Sequence, residues 1–290
     1  MKKLSFTLIL ALVMGLCGCS DTRQMPQIVA TTAPVYTFAT ALCADTPLQV
    51  GQLITENVSC LHDYSLSVPQ VRMAEGAQVI AISGAGLEDF MSDLLIGCDT
   101  VIDCSQGIDL LECEEHHDHS HAHTHEIDSH IWLSPKNAAQ MAKNLCQGLS
   151  LAYPAYATIF EANLSGLQSK LADLQDYGND ALSNLSCRKL ITFHDGFGYL
   201  AQAFDLTIAA AIEEESGSEA SAKELIDMIN LVQSHQIPAV FTEINGSISA
   251  PDIISAETGV SVHALNMGMG DADYFEMMRH NIDTLKEALG

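Results

Sequence analysis

Basic residues are scarce in this chain. Its 290 residues hold 12 Lys and Arg against 37 Asp and Glu, a formal net charge of −25. So few cations give no electrostatic grip on nucleic-acid phosphate or on an anionic lipid surface, and nucleic acid is excluded as a partner. The carboxylate excess favours cations instead. Other absences narrow the field further. No two cysteines stand at C-x-x-C spacing, which excludes a zinc ribbon and a thioredoxin-like redox pair. H-E-x-x-H is missing, Gly84-Ala85-Gly86 is too short for a nucleotide fingerprint, and no Ser-His-Asp order stands out. The expectation is a binding protein and not an enzyme. Three histidines plus water with Glu243 as base, the arrangement of a zinc hydrolase, are the competing chemistry. Past the first twenty residues no apolar run is long enough to span a bilayer. Hydrophobic residues still make up 48% of the chain, enough for the core of one large domain or two ordinary ones.

What the chain has in excess is histidine in one place. Residues 113–130 read CEEHHDHSHAHTHEIDSH and hold seven of the twelve histidines. Six are clustered, His116, His117, His119, His121, His123 and His125, and the seventh is His130. Neutral imidazole is the commonest side-chain ligand of zinc, and carboxylates are interleaved here. The segment has neither a helical nor a strand period, so a loop is expected.

The amino terminus reads as a targeting segment over residues 1–19. Lys2 and Lys3 precede an apolar run over 4–16, which ends in Leu16-Cys17-Gly18-Cys19. That ending resembles a bacterial lipobox with Cys19 as the lipidated residue, followed by a polar tether over 20–26. The expected product is exported, tethered by lipid to the outer face of the bacterial cytoplasmic membrane or held in the periplasm. Apart from Cys19, seven cysteines then remain: Cys43, Cys60, Cys98, Cys104, Cys113, Cys146 and Cys187. Disulfides are compatible with export, but an odd count leaves at least one thiol outside any intramolecular pair.

Between these features, short apolar runs alternate with helical patterns. Strands are expected at 28–32, 48–54, 79–82 and 100–103, and again at 190–194, 206–211, 239–242 and 260–265. Helices are expected between them, at 34–42, 67–75, 87–96, 135–150, 196–204, 221–235, 251–257 and 273–289. Such alternation specifies parallel sheets covered by helices. An unbroken helical pattern from Pro154 to about Leu182 would reach roughly 40 Å at 1.5 Å per residue, long enough to link two lobes. The expected fold is α/β: an N-terminal lobe over 27–150 that includes the His-rich loop at 113–129, a linking helix over 151–185, and a C-terminal lobe over 186–290.

Ligands of open parallel sheets collect beyond the carboxyl ends of strands. His194 ends the run Leu190-Ile191-Thr192-Phe193, His62 follows the second strand, and His130 lies between the His-rich loop and the next helix. A lone histidine is most often a hydrogen-bonded structural residue. Three so placed match a zinc site with one position left for a carboxylate or water. Glu243, at the end of another strand, is the candidate fourth ligand, or else a partner that holds a histidine tautomer. Asp271 is the alternative.

At these residues the chain resembles a family. Leu61-His62-Asp63-Tyr64, Gly84-Ala85-Gly86-Leu87-Glu88, Asp128 through Pro135, Phe193 through Leu200 and Phe241-Thr242-Glu243 are similar to signature segments of metal-binding lipoproteins. Those proteins serve ATP-binding-cassette importers of zinc and manganese. The resemblance implies two α/β lobes joined by a rigid helix, a single chain acting alone, and delivery of the ion to a membrane permease. It makes His62, His130 and His194 the metal ligands and Zn2+ the cargo, with Mn2+ as the lesser expectation because manganese prefers more oxygen ligands. Where the family often places an acidic ligand after its last strand, this chain has Asn266. The clustered histidines are expected to collect zinc for the cleft. A manganese-specific member, or a surface zinc buffer or adhesin, is the alternative reading.

Overall fold

The structure, a computed structural model, describes residues 25–58, 61, 64–112, 127–213 and 220–290. The targeting segment with Cys19, the clustered histidines His116 to His125, and His62, Cys60 and Cys113 lie outside the described residues.

The described residues build two four-stranded parallel sheets with the same winding. The first contains β1 (Ile28–Ala30), β2 (Val50–Gln52), β3 (Val79–Ile82) and β4 (Val101–Asp103), in the order β2-β1-β3-β4. The second contains β5 (Lys189–His194), β6 (Thr207–Glu213), β7 (Ala239–Glu243) and β8 (Ser261–Leu265), in the order β6-β5-β7-β8. In each, the strand order reverses direction beside the first strand, so a crevice opens between β1 and β3 and between β5 and β7. The central strands β1 and β7 are buried along their whole length, which is why they read as apolar runs rather than as alternating patterns.

Helices α1 (Ala33–Leu42), α2 (Val68–Glu75) and α3 (Ser92–Ile96) belong to the first half. They are followed by α4 (Pro135–Ala152), which starts where sequence predicts, with Pro135 in the first turn and the Ser134 hydroxyl accepting a hydrogen bond from the Asn137 backbone N–H. The long helix α5 (Ala157–Ala181) has 25 residues, about 37 Å at 1.5 Å per residue. A 3-10 turn over Pro154–Tyr156 leads into it, three residues later than the expected start. The second half adds α6 (Gly198–Ala203), α7 (Ala222–His235), α8 (Ser249–Thr258) and α9 (Tyr274–Leu289).

The expected helix over 87–96 is broken into a 3-10 turn at Asp89–Met91 and the short α3. Gly84, Ala85 and Gly86 all have positive φ (83°, 55° and 84°), and this left-handed turn brings Glu88 back over the sheet. Glu88 is buried. It accepts hydrogen bonds from Thr31 Oγ1 at 2.5 Å, the Ser83 backbone N–H at 2.8 Å and the Gly84 backbone N–H at 3.0 Å. The crevice between β1 and β3 is therefore closed by a carboxyl side chain of the protein itself.

One core runs through both halves. It joins Ile28, Phe38 and Trp132 to Phe241, Met267, Tyr274 and Leu289, because α9 turns back from the second sheet and packs on α5 and α1. A second, smaller core on the other face of the second sheet holds Ile191, Phe193, Met228, Val232, Val240 and Ile254. Five cysteines, Cys43, Cys98, Cys104, Cys146 and Cys187, are free thiols. Burial pushes the Cys43 thiol up to about 12, so it is held protonated and inert. No helix among the described residues is long and apolar enough to cross a membrane.

Candidate metal centre

β5 is a run of buried apolar residues that ends on a histidine, and β7 ends on a glutamate. The two strands are neighbours, so His194 and Glu243 emerge together at the crevice of the second sheet. His194 Nδ1 lies 3.3 Å from Glu243 Oε1, and both side chains are nearly fully buried, at 3% and 6% exposure.

His130 approaches from the other half of the chain, just before the 3-10 turn Ile131–Leu133. A single oxygen of Asp128 orients it. Asp128 Oδ1 lies 2.9 Å from His130 Nδ1 and also accepts the His130 backbone N–H at 2.9 Å. A carboxylate facing Nδ1 favours the proton on that nitrogen and leaves Nε2 with an outward lone pair. His130 Nε2 is buried and has no hydrogen-bond partner among the described residues. A buried polar atom left in that state needs a physical reason, and a ligand lone pair supplies one. The rings of His130 and His194 are 5.2 Å apart, centre to centre, and perpendicular at 89°.

Gly196 makes this approach possible. A Cβ at that position would stand 2.6 Å from Met267 Cε, 2.7 Å from His194 Cδ2 and 2.8 Å from His130 Cε1. Trp132 closes the other side of His130, edge to face at 5.4 Å, and donates from its indole N–H to the Met267 carbonyl at 2.8 Å. A small cavity beside the site is lined by Val58, Glu243, Ile244, Asn245, Asn266 and Met267.

The structure thus brings together three of the residues singled out by sequence: His130, His194 and Glu243. His62 lies outside the described residues, although its neighbours Leu61 (buried) and Tyr64 are placed. Among the described residues no group of three or more His, Cys, Asp or Glu side chains is arranged to hold a metal ion. Asn266 lines the small cavity beside the site. Its side-chain oxygen accepts from the Gly268 backbone N–H at 2.8 Å, and Asn281 bonds its backbone N–H and carbonyl. Asp271 is exposed. Two contributors were not legible as such: Asp128, whose only signal is a carboxylate two residues before a histidine, and Met267, for which sequence offers no signal. His235, His263 and His280 lie elsewhere, bonded to Lys189, Ser261 and the Ala264 carbonyl respectively.

Fold and site together define a class: α/β proteins with two like-wound parallel sheets and a carboxylate-backed imidazole pair, one ring at a strand end and the other just before a 3-10 turn. Comparison with known proteins narrows it. The profile of the ZnuA family, described as the periplasmic component A of a zinc-uptake complex, matches residues 28–288, and the chain belongs to this family. Among curated relatives, the zinc-binding lipoprotein AdcA of Streptococcus pneumoniae is 29% identical over 307 residues, covering 99% of this chain and 61% of the relative. This chain therefore spans only about three fifths of that protein's length. The high-affinity zinc uptake system protein ZnuA of Bacillus subtilis is 26% identical over 318 residues, covering 99% of this chain and 98% of the relative. A crystal structure of a ZnuA superposes with a TM-score of 0.81 at 28% identity, covering 91% of this chain and 98% of that one.

Proposed function

We propose that this chain is the extracytoplasmic zinc-binding component of an ATP-binding-cassette importer, holding Zn2+ between its two halves and passing it to a membrane permease. One observation carries the reading: the spacing of His130 and His194. A zinc ion sits about 2.0–2.1 Å from an imidazole nitrogen, hence about 3.2 Å from the ring centre, so two rings at a tetrahedral angle have centres about 5.2 Å apart. The spacing in the structure is 5.2 Å. Each ring also has a carboxylate at Nδ1, the arrangement that raises the basicity of a zinc-bound histidine and fixes its orientation.

In this reading His130 and His194 are two ligands and His62 is the third, carried by the segment that follows Val58 at the cavity wall. Glu243 is the fourth ligand or the partner of His194. Nitrogen donors select zinc over manganese, which suits oxygen-rich octahedral sites. The family relationship supports a transport role and no catalysis. His116 to His125 collect zinc and hand it to the cleft, and a lipid on Cys19 keeps a monomeric chain at the membrane, outside the cell or in the periplasm.

Native mass spectrometry of the chain with zinc and manganese in competition tests this. The wild type is expected to keep one zinc ion after mild chelation, and His194→Ala is expected to lose it. Removing residues 114–126 should leave that ion in place and slow zinc uptake only under scarcity. A chain that retains its tight zinc after His194→Ala sinks the assignment.

A further inference from the structure

We propose that Met267 sets the metal preference of this site by filling, with an apolar methyl group, coordination space that oxygen ligands would otherwise occupy. The inference rests on the zinc-site reading above.

Three atoms converge on the bare face of Gly196: Met267 Cε, His194 Cδ2 and His130 Cε1, all within 2.8 Å of where a Cβ would stand. Both ring carbons are bonded to Nε2. The methyl therefore borders the same Gly196 position as the ring edges that carry the proposed ligand nitrogens. It is held there from two directions. The Met267 side chain is buried at 4% exposure, and its carbonyl accepts from the indole N–H of Trp132, whose ring packs on His130. The residue before it, Asn266, has its side-chain oxygen bonded to the Gly268 backbone N–H, and Asn281 holds its backbone on both sides. The segment after β8 thus brings a methyl group to the Gly196 position that both imidazoles border.

Zinc is satisfied by four ligands in a tetrahedron, whereas manganese needs an octahedral, oxygen-rich shell. A methyl group neither ligates a hard cation nor leaves room for water. It blocks the sector that a fifth and sixth ligand would need, and so discriminates by coordination number rather than by affinity order, in which zinc already exceeds manganese.

The test uses the full chain and three variants, Met267→Leu, Met267→Gln and Met267→Ala, each loaded with Co2+, whose visible absorption is intense in four-coordinate sites and weak in six-coordinate ones. Zinc–manganese competition is read in parallel by native mass spectrometry. The clustered histidines contribute equally to all four proteins, so differences belong to the cleft. Wild type and Met267→Leu are expected to give the intense spectrum. Met267→Gln, close in volume but carrying an oxygen, and Met267→Ala, which admits water, should lose intensity, and their zinc preference over manganese should fall about tenfold or more. The proposal is overturned if both keep the wild-type spectrum and preference, or if Met267→Leu behaves like Met267→Ala, which would assign the role to sulfur. A wild-type chain with no tight zinc to lose on His194→Ala would instead defeat the underlying reading, a result visible before any Met267 variant is compared.

Discussion

Asp128 and His130 are bound to each other twice through one oxygen: Asp128 Oδ1 meets both the ring Nδ1 and the backbone N–H of His130, each at 2.9 Å. The carboxylate thereby sets the position, rotation and tautomer of the ring together. An Asp128→Asn side chain can turn its NH2 toward Nδ1 and move the proton to Nε2, the nitrogen proposed as ligand. The expected loss in zinc affinity is about 10- to 100-fold, with little change in unfolding temperature. Competitive titration against a chelator measures the first and calorimetry the second; equal affinities would show that Asp128 is only structural.

The chain's one tryptophan is a built-in reporter. Trp132 lies 5.4 Å from His130, edge to face. Zinc at His130 should change its emission in a saturable way at one equivalent. His130→Ala should abolish the change, while replacement of the six clustered histidines should leave it intact. An emission change that followed the clustered histidines would place the metal elsewhere.

Gly196→Ala is expected to damage both binding and stability. The added methyl meets Met267 Cε and both imidazoles at 2.6 to 2.8 Å. Overpacking of this kind costs about 1–3 kcal/mol of fold stability. Because two of the three displaced groups are the rings themselves, zinc affinity should fall at least about tenfold, since small displacements of ligating groups are costly. Urea unfolding of the apo chain and zinc titration separate the two effects; unchanged zinc affinity would mean the rings do not need that space.

Glu88 predicts a pH dependence of stability. Burial raises its carboxyl to about 7, against the opposing hydrogen bonds from Thr31, Ser83 and Gly84 and with a smaller push from Asp103. A folded-state value above the unfolded one means the folded chain binds the proton more tightly. The stability it contributes is present below the ordinary carboxylate range and is lost as pH rises through about 7. The total is on the order of 3 kcal/mol. Urea unfolding of wild type and Glu88→Gln from pH 4.5 to pH 8 should diverge by that amount, wild type losing ground as pH rises. Parallel curves would show that Glu88 stays ionised.

Much of this architecture is legible in the residues. Buried parallel strands carry apolar side chains on both faces, so β1, β3, β5 and β7 read as short unbroken runs, and the first polar residue at each end marks the crevice. That is how His194 and Glu243 could be placed beforehand. The helical pattern over 87–96 yields only a 3-10 turn and the short α3 for a local reason: the left-handed turn at Gly84, Ala85 and Gly86 sets the Glu88 region over the crevice. The role of Asn266 was also hidden, because a side chain that folds back on its own loop leaves no periodic trace.

By itself the sequence determined the alternation of strands and helices, the ends of the strands, and the kinds of ligand available, since these follow from local apolar pattern and side-chain chemistry. Only tertiary structure decided which of these side chains meet. His130 and His194 are 64 positions apart, and their rings stand 5.2 Å apart because α9 folds back to bind the halves into one core and Gly196 leaves room between them. Packing between segments distant in the chain sets those distances, and no pattern along the chain encodes them.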